Sequence, residues 1–148
     1  MAESMVEIAI IRSIISYVSR TYKAYRKGAD PRVSKTVYPI PENVKALLKE
    51  IVIQCKDESV YSELDALVQN SDRVKILEAS NRKIFQEFKN GFSPRKFLKW
   101  FAVSVIIGAE LEARGFSKAL DVVQRDVHAA YLTYRKYDVF KDLGFRVK

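Results

Sequence analysis

Few side chains in this sequence have the types and spacing that catalysis or metal binding requires. The only histidine, His128, stands alone in an apolar helical segment, which is typical of a structural or surface histidine. Cys55 falls on an apolar helix face, where a thiol is usually inert. Glu110 and Glu112 are two positions apart and cannot share one face of a helix, so they do not form a carboxylate pair.

The known catalytic and cofactor motifs are also missing. There is no Gly-rich phosphate loop, no Cys and His cluster at metal-ligand spacing and no nucleophile elbow. We therefore expect no enzymatic activity, no metal and no cofactor; an enzyme would need a site assembled from residues that no motif marks. The single cysteine cannot form an intrachain disulfide, which is consistent with a reducing compartment.

The chain has 148 residues and a formal net charge of +8, and its basic residues are unevenly distributed. The densest cluster comprises Arg20, Lys23, Arg26, Lys27, Arg32 and Lys35, opposed only by Asp30. We interpret it first as a solvated helix end and loop, and second as a surface for phosphate groups. A basic module that binds nucleic acid is an alternative. It would be largely non-specific, because no helix-turn-helix pattern places these residues against bases.

Aromatic side chains stand out more than catalytic ones. They crowd one junction in the sequence, next to three cations: Phe85, Phe88, Phe92, Phe97, Trp100 and Phe101, with Arg95, Lys96 and Lys99. For Trp100 and Phe101 the sequence favours core packing. For the other four, packing and exposure are evenly balanced, since one interior of this size needs fewer large side chains. Any excess would line an apolar groove edged with charge, which is how a protein takes up a partner's amphipathic helix.

The element that must position these residues is a central helix over roughly Ser93 to Arg114. Within it, Phe97 to Ala109 is apolar on nearly every side, which predicts burial all round. The run is shorter than the about 20 apolar residues of a membrane span. Asn90-Gly91 is expected to end the preceding helix, with Ser93 as the N-cap and Pro94 in the first turn. Gly115 marks the predicted exit.

Five further helical segments surround this one in the sequence. The predicted apolar stripes are Ile8, Ile11, Ile15, Val18 and Tyr22 in the first helix; Val44, Leu48, Ile51 and Cys55 in the second; Val60, Leu64, Leu67 and Val68 in the third; Val74, Leu77, Ile84, Phe85 and Phe88 in the fourth; and Leu120, Val123, Val127, Tyr131 and Tyr134 in the sixth, which Ser117 would cap. A brief aromatic segment, Tyr137 to Phe145, would follow. We predict one all-α domain over residues 1–148, with six or seven helices and one of them engulfed by the others.

The stretch from Ile84 to Leu111, with the order of helices around it, resembles the B-cell lymphoma-2 (Bcl-2) family of apoptosis regulators. In that family a helix ending in Gly leads into the first homology motif, Asn-Trp-Gly-Arg, and then into a long apolar central helix. Here Asn90-Gly91 matches the turn, Phe92 matches the apolar residue after it, and Phe97 to Ala109 matches the apolar helix.

The sequence departs from the family pattern at the motif itself. Ser93-Pro94-Arg95-Lys96 stands where the family has Asn-Trp-Gly-Arg. Aligned without a gap, the family's arginine falls on Lys96, and with a one-residue shift it falls on Arg95. In relatives that cation pairs with an aspartate of the bound helix. Gly144-Phe145 stands in for the Gly-Trp of the second homology motif, and Val44 to Glu58 aligns only loosely with the third.

The resemblance implies a Bcl-2-like bundle of six to eight helices and an anti-apoptotic role. The protein would sequester pro-apoptotic partners by binding their third-homology (BH3) helices in a surface groove. The implied partner-binding residues are Leu64, Leu67, Val74, Leu77, Phe85, Phe88, Asn90, Gly91, Arg95, Lys96 and Phe97. Either Arg95 or Lys96 would receive the acid of the partner.

The chain resembles a short, divergent, tail-less version of the family, and such versions look most like those encoded by viruses. We therefore expect a viral protein in the host cytoplasm, with peripheral association at mitochondria as an option and no transmembrane anchor. The sequence leaves two alternatives to the binding of BH3 helices. The groove could be covered in a homodimer, or the fold could serve to modulate innate immune signalling.

Overall fold

The computed structural model describes residues 2–26, 38–57, 88, 91–113, 115 and 118–146. Its elements are α1 (Ala2–Arg26), α2 (Glu42–Asp57), α3 (Pro94–Ala113), α4 (Ala119–Thr133), a 3-10 turn (Arg135–Tyr137) and α5 (Val139–Asp142). None of the described residues is in a strand, so the all-α prediction is confirmed. The predicted first, second, central and sixth helices correspond to α1, α2, α3 and α4. The predicted third and fourth helices lie outside the described residues, except for Phe88.

The α3 helix lies at the centre of the fold, as its composition predicts. It packs against α1, α2, α4 and α5. Its buried residues are Phe97, Leu98, Trp100, Phe101, Ala102, Ser104, Val105, Ile106, Ile107, Gly108, Ala109, Glu110 and Leu111. From Ser104 to Leu111 every position is buried, so this part of α3 has no solvent-facing stripe, whereas Lys99 is exposed and Val103 is half-buried nearer the start.

The start of α3 follows the predicted pattern. Ser93 is the N-cap, since its Oγ accepts a hydrogen bond from the backbone N–H of Lys96 at 3.1 Å and its carbonyl accepts from Phe97 N–H at 3.0 Å. Pro94 takes the first helical position, where a missing N–H costs nothing. Gly91, just before the cap, has a φ of +121°, which favours glycine.

The connection from α3 to α4 differs from the prediction in one respect. The α3 helix ends at Ala113, and Gly115 follows with a φ of +105°, as expected for its exit. The N-cap of α4 is Lys118 rather than Ser117, and Lys118 makes no side-chain capping bond. The carboxylate of Glu112 accepts a hydrogen bond from Leu120 N–H at 3.0 Å instead, so α3 itself caps the next helix.

Two carboxylates are buried where α1 meets the rest of the fold. Glu110 of α3 is 2% exposed and accepts a short hydrogen bond from the Tyr22 hydroxyl. Glu7 of α1 is 4% exposed and accepts a hydrogen bond from the Tyr131 hydroxyl at 2.9 Å. Arg135 Nη2 lies 3.6 Å from the same Glu7 oxygen. Burying a carboxylate is costly unless it is hydrogen-bonded or paired, and both carboxylates meet that condition.

The aromatic segment after α4 folds back onto the core. Phe140 of α5 stacks on Tyr131, with centroids 4.7 Å apart, and meets Phe97 and Phe145 edge-on. Tyr134, at the end of α4, stacks on Phe92 at 4.5 Å. The aromatic residues that seemed too numerous for one interior are therefore partly absorbed by the C-terminal segment.

Gly108 allows α3 and α4 to approach closely. A Cβ atom at this position would lie 2.9 Å from Val123 Cγ2 and 3.1 Å from Leu120 Cδ2. These distances are shorter than van der Waals contact, and the branched Val123 side chain has little rotamer freedom in a helix.

We expect Gly108→Val to lower the free energy of unfolding by about 1–3 kcal/mol through overpacking. The opposing gain in helix propensity is smaller, about 0.5 kcal/mol. Urea denaturation measures the effect. Adding Val123→Ala restores space, so the double variant should be more stable than the sum of the two single effects predicts. If Gly108→Val has the same urea midpoint as the parent protein, then α3 and α4 do not approach each other as closely as the structure indicates.

Tyr131 gives the fold a dependence on alkaline pH. Burial raises the pKa of its phenol above the ordinary value of 10.0, and the hydrogen bond and negative charge of Glu7 raise it further. The folded protein thus holds this proton at pH values where the unfolded chain has lost it. The resulting stability is complete below pH 10 and is lost as the pH rises towards the folded-state pKa.

We therefore expect the free energy of unfolding to fall more steeply above pH 10 in the parent than in Tyr131→Phe. The difference in slope should approach about 1.4 kcal/mol per pH unit. At neutral pH the variant should be less stable by about 1–3 kcal/mol, since Glu7 loses a donor. Denaturation at a series of pH values tests both; parallel slopes would show that folding does not raise the pKa of Tyr131.

Candidate partner-binding groove

A groove of about 400 Å³ opens between α2 and the start of α3. Its lining comprises Leu47, Glu50, Ile51 and Gln54 from α2 and Ser93, Arg95, Lys96 and Lys99 from the first turns of α3. The two helices are in direct contact beneath it. The three cations of the aromatic-rich junction, Arg95, Lys96 and Lys99, line this groove, but none of the described aromatic residues of that junction does.

The α2 wall is one face of an amphipathic helix. Its lining residues recur at intervals of three and four, which places them on one side of α2. Ile51 is 5% exposed and forms part of the floor, whereas Leu47 is half-buried. Glu50 and Gln54 are exposed at the rim. This wall thus offers apolar surface below and polar groups above, which suits an amphipathic ligand.

The α3 wall supplies three exposed cations. Arg95 and Lys99 are four residues apart and share one face of the helix. Lys96 is already engaged, because its Nζ donates a hydrogen bond to the carbonyl of Gly91 at 3.2 Å. Within the described part of the chain, no carboxylate lies within ion-pair distance of the Arg95 guanidinium. Arg95 is therefore better placed than Lys96 to receive an acid from a ligand.

The described members of the predicted site divide into two groups. Arg95 and Lys96 line the groove, and Gly91 lies at its edge through its contact with Lys96. Phe88 is 6% exposed and Phe97 is fully buried. Both pack into the aromatic cluster rather than facing the groove, so in this structure neither presents a surface to a partner.

Phe88 and Phe97 are held by neighbouring rings. Phe88 meets Phe92, Trp100 and Tyr134 edge-on, at centroid distances of 5.5, 6.3 and 5.5 Å. Phe97 lies 5.6 Å from Trp100. The core packing expected for Trp100 and Phe101 is confirmed, since they are 1% and 0% exposed.

The other predicted partner-binding residues lie outside the described residues: Leu64, Leu67, Val74, Leu77, Phe85 and Asn90. Their role stays a prediction. The basic cluster is described only where it lies on α1, and Lys27, Arg32 and Lys35 lie outside. Binding of nucleic acid through that cluster is likewise untested.

Sequence reasoning missed most of the groove lining. Leu47, Glu50, Gln54 and Lys99 were not among the predicted contacts, and Ser93 was predicted only as a cap. The three-and-four spacing on α2 could have identified that wall. The Lys96 contact with Gly91 could not have been found, because it depends on how the turn before Ser93 folds back beside the first turn of α3.

The described residues offer no arrangement for metal binding. No three His, Cys, Asp or Glu side chains among them come together as a metal site. Glu110 and Glu112, which the sequence predicts cannot pair, bond to different helices, α1 and α4. The absence of enzymatic activity stays a prediction. Within the described ranges, no helix has both the length and the apolar character needed to cross a bilayer.

Comparison with known proteins leaves the groove as the main guide to function. No protein-family model, no curated protein and no solved structure matches this chain.

Proposed function

We propose that this protein is an anti-apoptotic, Bcl-2-like factor that binds the amphipathic BH3 helices of pro-apoptotic proteins in the groove between α2 and α3. The proposal joins the resemblance at Ile84 to Leu111 with the groove geometry. The observation that carries it is the apolar floor at Leu47 and Ile51 beside a wall of exposed cations. The protein would act by sequestration, without catalysis, metal or cofactor.

The shape and charge of the groove support a helical ligand with an acid on its polar edge. A volume of about 400 Å³ takes up a few side chains rather than a whole helix. A ligand helix would therefore insert its apolar residues over Ile51 and leave its polar face outside. Three cations against the single acid Glu50 give the lining a positive balance, which favours an acidic partner and speeds its association.

Arg95 is the proposed anchor for the partner's acid. Its planar guanidinium can donate two parallel hydrogen bonds to one carboxylate, which a lysine ammonium cannot do. Lys96 would serve the groove indirectly, by fixing the turn at Gly91 through the 3.2 Å hydrogen bond.

An anti-apoptotic rather than a pro-apoptotic action is proposed because the second helix matches the third homology motif only weakly. Val44 to Glu58 aligns only loosely with the third homology motif, the segment that pro-apoptotic members present to others. The chain is thus proposed as a receptor for such helices rather than a donor. A viral origin and action in the host cytoplasm, including the mitochondrial surface, complete the proposal.

Calorimetric titration with a panel of BH3 peptides tests this function directly. We expect submicromolar binding to at least one peptide, and light scattering on the same sample should count the subunits. Absence of binding by a monomer would overturn the proposal and favour the innate immune alternative. Absence of binding by a dimer would call for the same titration after the dimer interface is disrupted, because a second copy could cover the groove.

Charge reversal tests the anchor. Arg95→Glu should weaken binding of the best peptide by at least about 30-fold, since the bound helix would desolvate the charge pair and loss of one partner of such a pair costs about 2–5 kcal/mol. Replacing the peptide's acid by lysine should restore part of the affinity to Arg95→Glu while weakening binding to the parent.

Lys49→Glu is the matched control. Lys49 is exposed on α2 but does not line the groove, so the same change in net charge should alter affinity by only a few-fold. If the two variants lose the same affinity for the peptide, then the net positive charge of the protein, and not Arg95, recognises the acid.

A further inference from the structure

A second cleft lies between α1 and α4, and it shares no lining residue with the groove. Its volume is about 310 Å³. The residues around it are Ile8, Ile11, Arg12, Asp121, Gln124, Arg125 and His128. They recur at three and four along each helix, so the cleft is formed by one face of α1 and one face of α4.

The residues that line the cleft change from apolar at the bottom to charged at the rim. Ile11 is 1% exposed and forms the floor, and Ile8, Gln124 and His128 are half-buried on the walls. Three exposed charged residues form the rim: Arg12, Asp121 and Arg125. A small ligand would therefore meet apolar surface on one side and charged groups on the other.

The two guanidiniums have donors to offer. Among the described residues, Arg12 has no hydrogen-bond or ion-pair partner. Arg125 contacts Asp126 through Nε at 3.5 Å, and a guanidinium carries further donors on its two terminal nitrogens. Two arginines at one cleft are the donor set that proteins use for phosphate groups. His128 adds an imidazole to the same wall.

Asp121 restricts the ligand further. A bare anion would be repelled by this carboxylate, whereas a ligand with hydroxyl groups can donate hydrogen bonds to it. Gln124 can both donate and accept. At about 310 Å³ the cleft is also larger than a single phosphate needs. The C–H face of a polyol ring would fit against the isoleucines.

From these features we propose that the α1–α4 cleft binds a phosphorylated polyol. The phosphate would lie between Arg12 and Arg125, and the hydroxyl groups would face Asp121 and Gln124. Such a group occurs both as a free sugar or inositol phosphate and as the headgroup of an inositol lipid. The proposal is independent of the function assigned to the groove.

The single histidine makes this site directly measurable by NMR. The chain has one histidine, His128, and this residue lines the cleft. Any imidazole ring signals in the spectrum therefore report on the cleft. At pH 7.5, titration with myo-inositol 1-phosphate should shift these signals to saturation. Inorganic phosphate should bind more weakly, and unphosphorylated myo-inositol should leave the signals unmoved.

Arginine variants distinguish a built site from general charge attraction. Arg12→Gln and Arg125→Gln should each weaken binding about tenfold or more, since each removes charged hydrogen-bond donors. Arg146→Gln, an exposed position outside the cleft and outside the basic cluster of α1, removes the same charge and should change affinity less than about twofold. Thermal unfolding should show that all three variants remain folded. Equal losses in the three variants, or shifts that never saturate, would overturn the proposal.

Vesicle sedimentation identifies the source of the phosphate group. Phosphatidylcholine vesicles containing phosphatidylinositol 4-phosphate are compared with vesicles of equal charge containing phosphatidylserine. Binding to the inositol-lipid vesicles that Arg12→Gln abolishes would support a lipid headgroup. Binding of inositol phosphate alone, without vesicle binding, would support a free ligand. Binding to neither, or equal binding to both vesicles that is unaffected by Arg12→Gln, would overturn the proposal.

Discussion

The need to cover α3 determines the position of every other described helix. From Phe97 to Leu111 this helix is buried on all sides, apart from a few half-exposed or exposed positions near its start. An apolar helix of this kind cannot rest on a surface and must be enclosed, because exposing it would forfeit about 25 cal/mol for each Å² of apolar area. The α1, α2 and α4 helices each contribute an apolar stripe to that enclosure, and α5 adds Phe140.

The same constraint accounts for the location of the groove. The enclosure is complete around the middle of α3 but not at its first turns, where Arg95, Lys96 and Lys99 reach solvent. The α2 helix meets α3 at this point, and the gap above their contact is lined by apolar side chains from α2 and cations from α3. A groove therefore arises where the covering of the central helix begins.

The sequence predicted those features that depend on local pattern. Hydrophobic periodicity and helix-end signals predicted the bounds of α3, the Ser93 cap and the Gly115 exit. What it could not predict depends on contacts between distant segments. Glu112 replaces Ser117 in capping α4 because α3 ends beside that helix, and Phe140 of α5 packs edge-on against Phe97 of α3. A wheel diagram of one helix contains neither fact.

Two buried hydrogen bonds, one near each end of α1, restrict the position of that helix along its axis. Glu7 and Tyr22 lie on the same helix, about 22 Å apart at 1.5 Å per residue, and each bonds to a different neighbour. The isoleucines between them are similar in size and would tolerate a shift of α1 along its axis by one turn. The two polar contacts would not, since a shift would leave a carboxylate buried without its hydroxyl at each end. These two hydrogen bonds therefore help to set the register of α1 along its axis, together with the hydrogen bond that Ser13 Oγ accepts from Tyr38 N–H between them.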